Sequence, residues 1–161
     1  MEKIEIKRVT LQDADFLYKL MNNPVLLTRL NEVPTTTQDW VEAVLAWEKD
    51  PDENGYIIWE DGKQIGWFAF NGLQSADRVP YLKMAVMLPE YHNKGIGTAV
   101  LTELLATVRG KGFTSVKLIT NQDNLNAQKC YQKCGFHIIE TVEDEMSDGT
   151  IGMRCIMECK L

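Results

Sequence analysis

Val86-Met-Leu-Pro-Glu-Tyr-His-Asn-Lys-Gly-Ile-Gly-Thr-Ala99 is the stretch that decides the fold. An apolar run ends at Pro89, a short polar turn follows, and two glycines one residue apart open a long amphipathic helix. The first turn of a helix carries unpaired N–H groups and about half a positive charge from its aligned peptide dipoles, so this junction is an anion site in outline. Gly95 and Gly97 suit it, because a residue without Cβ lets an oxygen approach the backbone. A tight strand-to-helix turn with no ligand fits the glycine pair equally well. Neither Gly-rich nucleotide motif matches: no Gly-x-Gly-x-x-Gly follows a first strand, and Lys94 precedes the glycines instead of closing the loop before Ser or Thr.

Downstream, Val100, Leu101, Leu104, Leu105 and Val108 recur at helical spacing until Arg109-Gly110-Lys111-Gly112 stops the helix. A strand over Ser115 to Thr120 follows, then a helix from Asn124 to Gly135, then strands over Phe136 to Glu145 and Ile151 to Leu161 that meet at Ser147-Asp148-Gly149. In the last strand Ile151, Met153, Cys155, Met157, Cys159 and Leu161 share one face, which the alternation assigns to the core. Upstream, a strand over Val79 to Leu88 leads into the loop. Strands over Tyr56 to Glu60 and Gln64 to Phe70 flank Asp61-Gly62, a strong hairpin signal. Their aromatic residues, Trp59, Trp67, Phe68 and Phe70, read as core. At the start, residues 2–9 alternate as a half-buried strand. Helices follow from Thr10 to Asn22-Asn23-Pro24 and from Pro34-Thr37 to Asp50-Gly55. Between them Val25 to Val33 reads as a loop, either packed by its own leucines or, with Arg29 and Glu32, offering a substrate surface.

The order β-α-α-β-β-β-α-β-α-β-β implies an α/β fold of the mixed α+β kind. Its sheet is mixed and mostly antiparallel, with helices on both faces, within one domain spanning residues 1–161.

His92-Asn93-Lys94-Gly95-Ile96-Gly97 resembles the Arg/Gln-x-x-Gly-x-Gly/Ala pyrophosphate loop of the GCN5-related N-acetyltransferases, with His in place of the usual Arg or Gln. Asn124-Leu-Asn-Ala127-Gln-Lys-Cys-Tyr131-Gln-Lys-Cys-Gly135-Phe136 resembles the family's Asn-x-x-Ala-x-x-x-Tyr-x-x-x-Gly-Phe segment. The two matches stand in the right order, separated by one helix and one strand. The resemblance implies a sheet splayed at its middle, with acetyl-coenzyme A as co-substrate lying in the gap.

It further implies that main-chain groups of Asn93, Lys94, Gly95, Ile96, Gly97 and Thr98 hold the diphosphate. Those of Ala85, Val86 and Met87 pair with the pantetheine arm, and Asn124 hydrogen-bonds it. Tyr131 becomes the general acid for the departing thiolate, a task a phenol can perform. By residue type alone Tyr131 reads equally as a core tyrosine. The activity so implied is N-acetyltransfer to a primary amine, on a small molecule or a protein, by direct transfer in a ternary complex. A non-catalytic acetyl-coenzyme A sensor or interaction module would carry the same cofactor motifs. No general base is identified: Glu32, Glu90, Glu140 and Glu143 qualify by type only, as does a water chain to solvent. A homodimer is compatible with the fold.

Bulk properties agree with this reading. The 161 residues suffice for one core, and 45% hydrophobic with 25% charged residues describes an ordinary soluble domain. A net charge of −6 argues against nucleic acid, whose phosphates demand a basic stripe. No run reaches the roughly 20 apolar residues of a membrane span, and the N-terminus lacks an apolar signal core, so a cytoplasmic location is expected. The four cysteines form no Cys-x-x-Cys pair and read as buried free thiols, with no metal site expected.

Overall fold

The computed structural model describes residues 3–161. Its centre is a seven-stranded sheet in the order β1-β2-β3-β4-β5-β7-β6, built from β1 (Ile4–Arg8), β2 (Asn54–Glu60), β3 (Lys63–Asn71), β4 (Tyr81–Met87), β5 (Ser115–Asn121), β6 (Phe136–Glu145) and β7 (Ile151–Lys160). Neighbouring strands run antiparallel except β4 and β5, which are parallel and pair only at Tyr81 and Lys117. Beyond that contact the two strands diverge, and the sheet opens in its middle.

The β2–β3 hairpin forms as its turn residues dictate. Asp61 and Gly62 both take positive φ, 48° and 80°, the requirement of a two-residue turn that matches strand twist. On β3, Trp67 and Ala69 point to one face and Phe68 and Phe70 to the other, and all four are buried. Both faces are therefore covered. One carries α1 (Ala14–Met21), α2 (Pro24–Leu30) and α3 (Thr37–Glu48), with Leu17, Leu20, Leu26 and Val44 packed on Ile57 and Trp67. The other carries α4 (Ile96–Gly110), whose Val100, Leu101, Leu104 and Val108 pack on Phe68, Phe70 and Val116, with Tyr131 of α5 (Leu125–Lys133) beside them.

Two expectations need correction. Val25 to Val33 is not a loop: α2 occupies most of it. Asn23 caps the helix by accepting from the N–H groups of Val25 and Leu26, Pro24 sits at its first position, and Asn31 ends it with φ 54°. Asn-Pro stops one helix and starts the next, because proline at the first helical position loses no hydrogen bond. The apolar face of β7 also fails to stay buried along its length. Cys155, Met157 and Cys159 are in the core, but Ile151 and Met153 lie in the part of the β6–β7 hairpin that projects past it and are exposed.

Candidate functional site

The site begins where β4 ends. Leu88 donates its N–H to the Ile65 carbonyl at 2.9 Å, directly opposite in the β3–β4 register. Antiparallel strands alternate the direction of their main-chain groups, so Val86 spends its N–H and C=O on Trp67 of β3, while those of Ala85 and Met87 face the gap toward β5. Two of the three β4 residues expected to meet an arm-like ligand thus have main-chain groups on the open edge. Val86 contributes to the groove wall without them.

After a single 3-10 turn at Pro89–Tyr91, the chain bends through Asn93 with φ 60° and Gly95 with φ 79°. Gly95 is the N-cap of α4 and has no side chain to satisfy the first turn. The N–H groups of Ile96, Gly97 and Thr98 are consequently left to a ligand, in the concave main chain that left-handed residues create. The Ile96 side chain turns away into the core, so only its main chain belongs to the site.

These elements enclose a groove of about 330 Å³. Ala85, Val86, Met87, Asn93, Lys94, Gly95, Gly97, Thr98, Asn124 and Tyr131 all line it. Asn124 accepts from the N–H of Ala127 at 3.4 Å and so caps α5 with its oxygen; its side-chain N–H₂ is what remains for a ligand. Tyr131 packs edge-on against Phe136, ring centroids 6.0 Å apart. Burial, and then the charges of Cys130 and Cys134, raise its phenol above the ordinary tyrosine range, so it is a proton donor at any physiological pH.

Three features lay outside the expected cofactor site: an arginine, a pair of lysines and a histidine. Arg29, on α2, and Lys129 and Lys133, four apart on α5, join Lys94 around the groove, while among the described residues no Asp or Glu lines it. A protein of net charge −6 has gathered four cations around one cleft, which suits a polyanion. The lysine spacing was a readable signal; Arg29 was weighed as a substrate surface, but in a loop and not beside the cofactor groove. The third is His92. Arginine can only donate, so its Nη1 donates to His92 Nδ1 at 2.9 Å, and His92 Nε2–H donates to the Met87 carbonyl at 2.7 Å. None of the four glutamates considered as base lines the groove.

The thiols divide in two. Cys155 and Cys159 are buried, whereas Cys130 and Cys134 are half-buried between α5 and α4, and Cys130 lines the groove. Cys130 Sγ lies 3.4 Å from Thr98 Oγ1, and Cys134 Sγ donates to the Thr98 carbonyl at 3.6 Å. A hydrogen bond from Cys134 moves the Cys130 thiol down to about 6, against burial and aided by Thr98 and the Lys133 charge. The same bond, with burial, pushes Cys134 up: the two sulfurs share one proton. Among the described residues no group of three His, Cys, Asp or Glu is placed to hold a metal ion, and no helix is long and apolar enough to cross a membrane.

Comparison with known proteins bears on the fold and the family. The structure of spermidine N-acetyltransferase from Vibrio cholerae in complex with CoA and spermine superposes with a TM-score of 0.87 at 18% identity, covering 98% of this chain and 95% of that one. An aminoglycoside acetyltransferase in complex with coenzyme A superposes with a TM-score of 0.80 at 22% identity, covering 98% and 95%. At these identities the likeness is one of fold. By sequence, an uncharacterized N-acetyltransferase of Mycobacterium tuberculosis is 36% identical over 78 residues, covering 48% of this chain and 49% of that protein. An uncharacterized protein of Bacillus subtilis is 44% identical over 86 residues, covering 53% and 51%. The chain spans about half the length of these curated relatives. The family model for the acetyltransferase (GNAT) family matches residues 18–136, which include both the loop at Gly95–Gly97 and the segment from Asn124 to Phe136, and the chain belongs to that family.

Proposed function

We propose that the protein is an acetyl-coenzyme A dependent N-acetyltransferase acting on a small-molecule amine by direct transfer. The observation that carries this reading is the groove, which brings the uncapped N–H groups of α4, four cations and the Tyr131 phenol to one cleft. Lys94, Lys129 and Lys133 with the amides of Ile96, Gly97 and Thr98 suit the phosphates of acetyl-coenzyme A. The open-edge N–H and C=O of Ala85 suit its amide-bearing arm. The two superposed structures are of a spermidine N-acetyltransferase and an aminoglycoside acetyltransferase, and spermidine and aminoglycosides are both amines.

In the reaction the new N–C bond forms as the C–S bond breaks. The Met87 N–H, on the open edge of β4, donates to the oxygen that gains charge as the carbonyl becomes tetrahedral. Tyr131 donates its proton to the sulfur as it leaves, the attacking nitrogen releases one proton to solvent as it becomes an amide, and the phenol recovers its proton from solvent. With no carboxylate lining the groove, the amine has to arrive neutral or lose its proton to water. The expected log kcat/KM therefore rises with pH at unit slope up to the acceptor's own amine pKa and then levels. A plateau beginning well below that pKa would reveal a protein base.

The same lack of a carboxylate favours a second reading, a module that binds acetyl-coenzyme A without turnover. Calorimetry with coenzyme A, followed by thioester consumption with a panel of polyamines, aminoglycosides and simple amines, separates the two. Binding with turnover supports the enzyme, binding without it across the panel supports the module, and no binding removes both. The shared proton of the thiol pair gives an independent check on where the cofactor lies. Iodoacetamide is expected to alkylate Cys130 even near pH 7, where an ordinary thiol is mostly protonated, and saturating coenzyme A should slow that labelling at least tenfold. Mass spectrometry of the labelled peptide reads both.

A further inference from the structure

We infer that His92 is a positioning residue that ties the cofactor loop to α2, acting only as a neutral imidazole. The inference rests on the acetyltransferase reading for its kinetic consequence but not for its geometry. Both ring nitrogens are engaged at good distance, 2.9 Å to Arg29 and 2.7 Å to the Met87 carbonyl. Because the guanidinium has no acceptor, Nδ1 must be the bare nitrogen and Nε2 must carry the hydrogen. That assignment fixes what the ring does. It holds the last carbonyl of β4, whose own N–H is the proposed oxyanion donor, and it holds the side chain of the helix that walls the other side of the groove.

Arg29 has a second position of interest. It lines both the main groove and an adjoining open recess bounded by Thr28, Asn31, Asp123 and Asn126. The His92 tie therefore sets where the guanidinium stands between the two. Through the α2 backbone the effect reaches Asn31, which accepts from Asn121 of β5 at 2.8 Å, donates to Asp148 at 3.3 Å, and accepts the Asp148 N–H at 3.0 Å. One imidazole thus begins a chain of contacts from the phosphate loop through α2 to β5 and the β6–β7 turn.

Protonation breaks the tie. An imidazolium carries hydrogen on Nδ1, cannot accept from Arg29, and adds a cation to a cleft that already holds Arg29 from α2, Lys94 from the loop, and Lys129 and Lys133 from α5, with no acid lining it. Glutamine supplies the same two functions without titrating: its carbonyl oxygen accepts from the guanidinium and its N–H donates to Met87.

The test uses the full chain and three forms: wild type, His92→Ala and His92→Gln. In ligand-free protein at pH 7.5, nitrogen-15 spectra of wild type should show His92 as the Nε2–H tautomer. Deuterium exchange over residues 26–31 should rise in His92→Ala and return to the wild-type rate in His92→Gln, with Tm held close to wild type in both. In turnover, His92→Ala should raise KM for acetyl-coenzyme A about tenfold with a smaller change in kcat, and His92→Gln should restore it. Exchange over residues 26–31 that is the same in wild type and His92→Ala, or an Nδ1–H tautomer, overturns the inference. If the tautomer and exchange results hold while no form takes up coenzyme A, the tie stands and it is the cofactor assignment that fails.

Discussion

Tyr131→Phe is expected to lower kcat about a hundredfold or more while leaving KM for acetyl-coenzyme A within about threefold of wild type. The phenol is assigned to a step that develops charge on sulfur only as the C–S bond breaks, so its loss should register in turnover and hardly in ground-state binding. The structure makes the variant a clean one. Tyr131 contacts Phe136 edge-on and its hydroxyl has no hydrogen-bond partner among the described residues, so phenylalanine keeps the packing and deprives no neighbour. Stability should change by no more than about 0.5 kcal/mol. The raised phenol pKa adds a pH signature with a definite sign. A group whose pKa is raised keeps its proton to higher pH, so the wild-type profile should show no alkaline fall from loss of the acid up to about pH 9.5, where an unperturbed tyrosine would already begin to fail. Stopped-flow or thioester assays of both proteins across pH decide the matter. Full turnover in Tyr131→Phe would remove the residue from proton transfer; lost binding with unchanged chemistry would make it a wall of the groove.

The architecture was legible in the sequence wherever one local rule acted alone. Asp61-Gly62 specified a turn, the alternation of β3 and β7 specified strands, and Gly95-Ile-Gly97 after an apolar run specified a strand-to-helix junction. Where one residue served two elements, the reading failed. Asn22-Asn23-Pro24 ends α1 and also begins α2, and the stop signal concealed the start. That single misreading also left Arg29 as one option for a substrate surface, because a charged residue in an assigned loop has no defined direction. The groove's cationic lining was partly visible as Lys129 and Lys133. The role of His92 was not, since it depends on a partner 63 positions away and on a carbonyl. The general base could not be read from sequence because the structure brings no carboxylate to the cleft: four glutamates fit by type, and topology sends all four elsewhere.

The two loop glycines should separate folding from binding in opposite directions. At Gly97 the backbone is helical, and an added Cβ would meet Cys130 Sγ at 3.7 Å and Met87 Sδ at 3.8 Å, ordinary contacts that need no rearrangement. Gly97→Ala is therefore expected to fold as well as wild type, or to gain up to about 1 kcal/mol from reduced backbone freedom in the unfolded chain. Its methyl group nevertheless stands in the first turn, where phosphate oxygens would approach the N–H groups of Ile96 to Thr98, and the Kd for coenzyme A should weaken at least tenfold, about 1.4 kcal/mol. At Gly95 nothing lies within 4 Å of an added Cβ, so space is not the constraint; φ 79° is. Gly95→Ala should cost about 1–2 kcal/mol of stability for holding an L-residue in the left-handed region, lowering Tm by several degrees. Coenzyme A stabilises any form that binds it, in proportion to its affinity, so its presence should raise the Tm of Gly95→Ala and raise that of the weaker binder Gly97→Ala much less. Thermal melts with and without coenzyme A, paired with calorimetry, read all four quantities. If Gly97→Ala loses stability and keeps its affinity, the diphosphate does not sit on the α4 amides, and the loop is only a turn.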